Sequence, residues 1–315
     1  MSLPDESLAM AIAQKHCGDR PLAARRFTTG TRHYVYEVSF PNDTSVVVRI
    51  GDRNAHREME GAVHLSGLLR PLGVPLPKLL AHELATPLPW MLLERLQGHD
   101  LWDFIATMPD LALKDVARAV ARAQAIAATT PSAGRFGYAA HADKAPHASW
   151  REVLKDNLDR SRRRITSAGL FDAALVERVE VLLADRADQI DGIAATPFLH
   201  DTTTKNVIVT SEGRYSGIVD VDDLCFGDPR YAAALTLAVL QAYGGPVAYV
   251  DYWLAAADEK DDALFRLYVA LFLLDLMGNH GQVFNGNQRP SQPKERARLL
   301  AAFEESLKQV GQAAS

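Results

Sequence analysis

Asp201, Asn206 and Asp220 carry the chemistry most legibly. Asn206 follows Asp201 by five positions in His200-Asp201-Thr202-Thr203-Thr204-Lys205-Asn206. Residues 207–209 are β-branched and apolar, Ser211-Glu212-Gly213 supplies a turn, and 215–219 is a second β-type run ending at Asp220. The pattern reads as strand, turn, strand, with a carboxylate at each mouth. Phosphoryl transfer needs these residue types. One carboxylate orients the attacking hydroxyl and accepts its proton, and oxygen ligands hold Mg²⁺, which neutralises phosphate charge. Asp and Asn also favour turns for local reasons, so spacing alone fits two ordinary hairpin mouths about as well.

Kinase catalytic loops set an Asp and an Asn at this interval, with a metal-binding Asp later on a hairpin. Gly217-Ile218-Val219-Asp220 and then Gly227-Asp228-Pro229 extend the match. Together these stretches resemble the aminoglycoside phosphotransferase family, which has a protein-kinase-like fold. Its members usually carry His-x-Asp-x-x-x-x-Asn, then Ile-Asp near a Gly-Asp-Pro. Two departures stand out: His200 directly precedes Asp201, and Ala232 replaces the Asp of the family's Asp-Leu-Ala. The resemblance implies that Asp201 is the catalytic base and that Asn206 and Asp220 hold Mg²⁺.

The elements that would position these residues lie upstream. Residues 26–50 read as β structure, with turns at 28–31 and 41–43 and strands at 34–40 and 45–50. Gly30 and Thr31 sit where a loop would cover phosphates, because a missing Cβ lets the backbone approach an anion. Arg49 ends a strand where kinases carry a phosphate-binding Lys. It keeps the charge and adds a planar fork. Residues 55–69 have helical spacing, and Glu58 matches the helix carboxylate that pairs with the strand cation, with Glu60 as the other register. Residues 90–94 read as a strand broken at 95–98. The resemblance makes this the hinge, so the backbone of 94–97, Glu94 and Leu96 included, is expected to contact the nucleotide base. No Walker A and no Gly-x-Gly-x-x-Gly occurs, which weakens P-loop and Rossmann readings.

The expected fold class is α+β and bilobal. Residues 1–97 form a β-rich nucleotide-binding lobe, and 98–315 a mostly helical catalytic and acceptor-binding lobe with one strand pair at 207–219. Helices are expected at 7–17, 111–128, 150–167, 172–190, 231–242, 247–257, 263–277 and 292–310. The basic run at 160–164 reads as a solvated helix face. By the resemblance, Asp275, Asn279 and His280 are acceptor-site candidates.

Composition narrows the function. The chain has 315 residues, 48% apolar and 23% charged, enough for two lobes with their own cores. A net charge of −5 leaves no basic footprint for nucleic acid. The longest apolar run, 267–277, is interrupted by Asp275 and too short to span a bilayer, so no membrane association is expected. Cys17 and Cys225 lack paired spacing, and the acidic start lacks a signal peptide's basic region; both suit the cytoplasm. Nothing here fixes an oligomeric state. The resulting reading is an ATP-dependent (or GTP-dependent) phosphotransferase with Mg²⁺, acting on a hydroxyl of a small molecule. The alternative is a nucleotide-binding module with little or no transferase activity, motivated by Arg49 and the placement of His200. A His-Asp phosphohydrolase would need further ligands on helices. A calcium loop starting at Asp220 would need Gly and Glu where Cys225 and Tyr231 stand.

Overall fold

A computed structural model describes residues 3–27, 33–284, 287–288 and 290–312. The expectations on Gly30 and Thr31 therefore lie outside the described residues. The first lobe is built from α1 (Glu6–Cys17), β1 (Ala23–Arg26), β2 (Tyr34–Ser39), β3 (Ser45–Ile50), α2 (His56–Leu72), β4 (Leu79–Glu83) and β5 (Trp90–Glu94). Its strands form one antiparallel sheet in the order β1-β2-β3-β5-β4.

Alternation across the strands assigns the two faces. Tyr36, Val38, Val48 and Ile50 turn towards α1 and bury its Ala9, Ile12 and Ala13. Asp5 caps α1 by accepting the Leu8 N–H, and Gly18 closes it in the left-handed region. Arg49, between Val48 and Ile50, points to the opposite face. There α2 packs Met59 and Ala62 against Met91. The β3 cation thus faces the interior of the molecule for the same reason that its neighbours face α1.

The second lobe runs β6 (His99–Asp100), α3 (Asp110–Ala127), β7 (Gly137–Ala139), α4 (Trp150–Ala168), α5 (Ala174–Asp185), α6 (Ala187–Asp191), β8 (Thr196–Phe198), β9 (Val207–Val209), β10 (Tyr215–Ile218) and β11 (Leu224–Gly227). It ends with α7 (Arg230–Tyr243), α8 (Ala248–Ala257), α9 (Ala263–Asn279) and α10 (Pro293–Gln312). The strand pair expected at 207–219 is present as β9 and β10, but it is not alone. Two three-stranded sheets occur, β10-β9-β6 and β7-β11-β8. The extra strands are two to four residues long, too short to show a period of two. The helix expected over 172–190 breaks at Arg186, whose guanidinium caps the carbonyls of Leu182 and Val310. α9 is buried on every face, from Leu264 to Met277, and is the axis on which α4, α7 and α10 pack.

The chain leaves the first sheet at Glu94 and joins the second lobe at His99, which pairs with Val209. Gly98 makes the turn at φ 112°, and a Cβ there would collide with the Val209 carbonyl oxygen. Gly18 also has positive φ (82°), but its Cβ would meet nothing. Gly18→Ala should therefore cost only the left-handed penalty of about 1–2 kcal/mol. Gly98→Ala adds overpacking of about 1–3 kcal/mol, so its thermal midpoint should fall clearly further. Equal shifts would mean that β9 yields to the new methyl group.

Candidate active site

α3 sets the loop after β8. Gln124 accepts the Leu199 N–H at 2.9 Å, and its Nε2 donates to the Leu199 carbonyl at 2.7 Å and to Thr202 Oγ1 at 3.1 Å. The Thr204 carbonyl accepts the Trp102 N–H at 3.0 Å. With Thr202 and Thr204 fully buried as pins, the loop has little freedom. The five-residue interval then has a physical meaning. Asn206 Nδ2 donates to the Asp201 carbonyl at 3.0 Å, and its own carbonyl accepts the Val219 N–H at 2.9 Å. Asn206 thus closes the Asp201 loop and ties it to the strand end leading to Asp220. Asp201 Oδ1 accepts from Thr203 Oγ1 at 2.9 Å.

His200 has a partner despite its position directly before Asp201. Its Nδ1 stands 3.1 Å from Asp223 Oδ1, and the Tyr138 ring meets it edge-on at 5.0 Å. The histidine links the Asp201 loop to the segment just past Asp220. Burial raises the Asp223 pKa, and His200 opposes the rise.

The centre of the site is Arg49. Its Nη1 donates to Asp222 Oδ1 at 2.6 Å and its Nη2 to Asp222 Oδ2, a bidentate fork. Nη1 also lies 3.2 Å from Asp220 Oδ1. His33 Nε2 approaches Asp222 at 3.5 Å. The expected Arg49–Glu58 pairing needs correction: the bidentate partner is Asp222, and Glu58 on α2 acts on Arg49 as a neighbouring charge. The cause is close packing. A Cβ at Gly61 of α2 would collide with the Asp222 carbonyl, so α2 and the 220–223 segment touch backbone to side. That contact brings the Asp222 carboxylate up to β3. Asp222, Asp223 and His33 are the site residues that sequence reasoning passed over. The signal available was the density of carboxylates in Asp220-Val221-Asp222-Asp223, which calls for cations close by.

The charges follow from this arrangement. Arg49 is only 5% exposed, yet Asp222 and then Asp220 outweigh its burial and raise its pKa, so it stays charged. Burial pushes Asp222 up, but Arg49 and His33 reverse this and hold it well below the usual carboxylate range. Asp220 goes the other way. Crowding at the cleft floor raises its pKa, Arg49 opposes, and Asp222 and Asp201 add to the rise. Over half of its side-chain surface is still exposed. Asp220 sits in the left-handed region at φ 63°, which turns its side chain off the strand line.

Glu94 and Leu96 lie on the crossing between lobes. Glu94 accepts the Lys78 N–H at 2.9 Å and donates its own N–H to the Lys78 carbonyl at 2.9 Å. Arg95 donates to the carbonyls of Leu96 and Gly98 and to Glu37. Ser216 Oγ donates to the Gln97 carbonyl at 2.6 Å, lashing the crossing to β10. Arg49, Asp201, Asp220 and Glu58 are thus within one electrostatic neighbourhood, with Glu94 at the end of the strand paired to β3. Among the described residues no group of three or more His, Cys, Asp or Glu side chains forms a metal cage. A hard cation here would rely on Asp220, the Asn206 side-chain oxygen, water and phosphate oxygens, as Mg²⁺ does in nucleotide sites. The donor set fits: Asn206 Nδ2 is spent on Asp201, and Asp220 is open to the cleft.

The family model described as "Phosphotransferase enzyme family" matches residues 23–268. The chain belongs to the phosphotransferase enzyme family. No curated protein sequence gives a match. Among solved structures it is similar to a thermostable mutant of aminoglycoside phosphotransferase APH(4)-Ia in ternary complex with AMP-PNP and hygromycin B. That pair shares 16% identity and a TM-score of 0.65, over 96% of this chain and 98% of the other. The GDP and kanamycin complex of APH(2")-IIia gives 17% identity and a TM-score of 0.65, over 97% and 98% of the two chains. A putative fructosamine-3-kinase from Thermobifida fusca YX-ER1 gives 18% and 0.62, over 95% and 98%. At these identities the likeness establishes the fold, and it bears out the bilobal expectation.

Two outcomes test the electrostatics of this phosphotransferase. Asp222→Asn keeps the shape but breaks a buried ion pair, a loss of about 3–5 kcal/mol. The urea midpoint should fall with its slope unchanged. Asp100, in β6, has its pKa raised to about 6 by burial and by Asp103, against Lys205 and Arg95. A carboxyl bound more tightly to its proton when folded costs stability as pH rises. Asp100→Asn should therefore raise the thermal midpoint fully above pH 6, with the gain shrinking as pH falls towards the ordinary carboxylate value. A gain independent of pH would contradict this.

Proposed function

We propose that the chain transfers the γ-phosphoryl group of ATP to a hydroxyl of a small molecule. The observation that supports this best is the convergence of Asp201, Asp220 and Arg49, with Asn206 bonded to the Asp201 carbonyl. Asp201 orients the acceptor O–H and takes its proton while the oxygen bonds to the γ-phosphorus. The bond from that phosphorus to the bridging oxygen breaks, and ADP leaves. Arg49 offers charge to the α- and β-phosphates. Its buried Nε–H makes no hydrogen bond among the described residues, a donor that a phosphate oxygen would satisfy. Mg²⁺, held by Asp220 and Asn206, would neutralise phosphate charge. Glu94 and Leu96 offer backbone groups to the base at the lobe crossing, where ATP or GTP would be told apart. AMP-PNP in one structural neighbour and GDP in another support a purine nucleotide.

The acceptor lies on the second-lobe side of Asp201, and hygromycin B and kanamycin in the neighbours support a small hydroxylated molecule. Among the described residues no helix is long and apolar enough to cross a membrane. Cys17 and Cys225 are both free, which suits a reducing cytoplasm. A nucleotide-binding module without transfer would have no need of the Asn206–Asp201 closure, so we favour the enzyme.

With any identified acceptor, Asp201→Asn should lower kcat by about 10²–10⁴-fold, the usual worth of a positioned base. Nucleotide affinity should hold, because Asp201 serves the acceptor. Asp220→Asn should instead weaken Mg²⁺-dependent nucleotide binding as well as turnover. Titration calorimetry beside an ADP-release assay separates the two. Full activity in Asp201→Asn would end this reading.

A further inference from the structure

The α4 run that reads as a solvated basic face divides by helical period. Arg162 pairs outward with Glu180, and Arg163 is exposed. Arg160 and Arg164, three and seven positions past Asn157, turn towards α9. Arg160 Nε and Arg164 Nη1 each lie 3.3 Å from the same oxygen, Asp275 Oδ1. Arg164 Nη1 also donates to Asn279 Oδ1 at 2.8 Å, and Asp275 Oδ2 accepts from Asn279 Nδ2 at 3.0 Å. Two guanidiniums thus share one carboxylate by long, single-oxygen contacts. Their other N–H groups make no hydrogen bond among the described residues, and each side chain is about a third exposed, 35% and 36%. The cluster carries one surplus positive charge. A satisfied structural pair would be bidentate and one-to-one, as Arg151 is with Asp191.

Tyr138 connects this cluster to the chemistry. Its ring packs on His200, the neighbour of Asp201, and its hydroxyl lies 3.5 Å from Asn157 Nδ2, one helical turn before Arg160. Arg160 is close enough to act electrostatically on both Tyr138 and Tyr231. The Tyr138 side chain therefore links the Arg160 end of the cluster to the loop of the proposed base.

We propose that the acceptor is an alcohol carrying an anionic group, carboxylate or phosphate, which Arg160 and Arg164 bind while its hydroxyl meets Asp201. This rests on the phosphotransferase reading above and names the acceptor class for that site. A planar guanidinium fork matches both anions, and two forks converging on one oxygen leave donors aimed at a second acceptor group. A cationic acceptor would face the surplus positive charge instead.

The test is an ADP-release assay of the full chain with Mg-ATP. The panel contains hydroxy acids, phosphorylated alcohols, their neutral amides or free polyols, and aminoglycosides. Turnover should be confined to one of the two anionic arms, and which arm responds identifies the anion. Arg160→Gln and Arg164→Gln should each raise the acceptor KM by about 10- to 100-fold, the loss of a charge-assisted hydrogen bond. The KM for ATP should not change. The unsubstituted enzyme gives an independent readout: an anionic analogue lacking the hydroxyl should inhibit competitively against acceptor, not against ATP. Preference for neutral or cationic acceptors overturns the inference and leaves the phosphotransferase reading standing. So does a kcat loss shared by all acceptors, or inhibition competitive only with ATP. Absence of Asp201-dependent ATP turnover with every panel member overturns both.

Discussion

Arg49 leaves the sheet of the first lobe and ends between Asp222 and Asp220 of the second. A guanidinium so deeply buried cannot shed its charge, because its intrinsic affinity for the proton is too high. It must be met by carboxylates, and the site is arranged around that necessity. Asp222 supplies both oxygens. The single oxygen of Asp220 near Arg49 leaves the rest of that carboxylate facing the cleft. Exchanging such a pair for apolar residues often costs little, but removing one partner costs a great deal. The pair is therefore better understood as a fixed distance between lobes than as a source of net stability. β3 and the 220–223 segment cannot drift apart without exposing an unpaired charge.

The same constraint separates two carboxylates that the sequence writes almost side by side. Asp222 is held ionised by Arg49 and His33, while Asp220 is pushed towards its neutral form by crowding and by Asp222 and Asp201. A carboxylate in that condition gains by meeting a cation. A divalent ion with its phosphates would relieve the repulsion among Asp201, Asp220 and Asp222.

Legibility in the sequence tracked the range of the interaction. The Asp201–Asn206 interval is local, and it survives as a hydrogen bond that closes one loop. The long helices and the longer strands were also local patterns, since 3.6- and 2-residue periods need only a dozen residues to show. Asp222 as the partner of Arg49 was not legible, because the two stand 173 positions apart and meet only once Gly61 lets α2 press on the Asp222 backbone. The β7-β11-β8 sheet was missed for a related reason. Its strands are three or four residues long and join segments from three regions of the chain. Pairing, rather than propensity, makes them strands. The basic run on α4 was visible as a run, but charge counting ignores the hundred-degree step that sends Arg160 and Arg164 towards Asp275 on α9 and Arg162 towards Glu180 on α5.

That step also sets the electrostatic character of the second lobe. From Asp220 through Asp201 the carboxylates outnumber the one buried guanidinium they surround. Beyond His200 and Tyr138 the sign reverses at Arg160 and Arg164. A ligand bridging the two regions feels a field directed along its length, positive at the far end and negative at the hydroxyl end. An alcohol with an anion at one end lies along that field with its hydroxyl at the base. A polycation would be drawn in reverse, with its amines among the carboxylates. Orientation of the acceptor can then be imposed by charge before any shape complementarity is considered. The Gly-Asp-Pro corner keeps this geometry rigid. Asp228 is buried under Tyr268 and Arg230, and Gly227 lies so close to the Trp150 ring that a Cβ would collide with it. Trp150 in turn opens α4, the helix that carries both arginines, and its indole donates to Tyr268 on α9, the helix that carries Asp275. One buried corner therefore fixes the register of the two helices whose side chains form the Arg160–Arg164–Asp275 cluster.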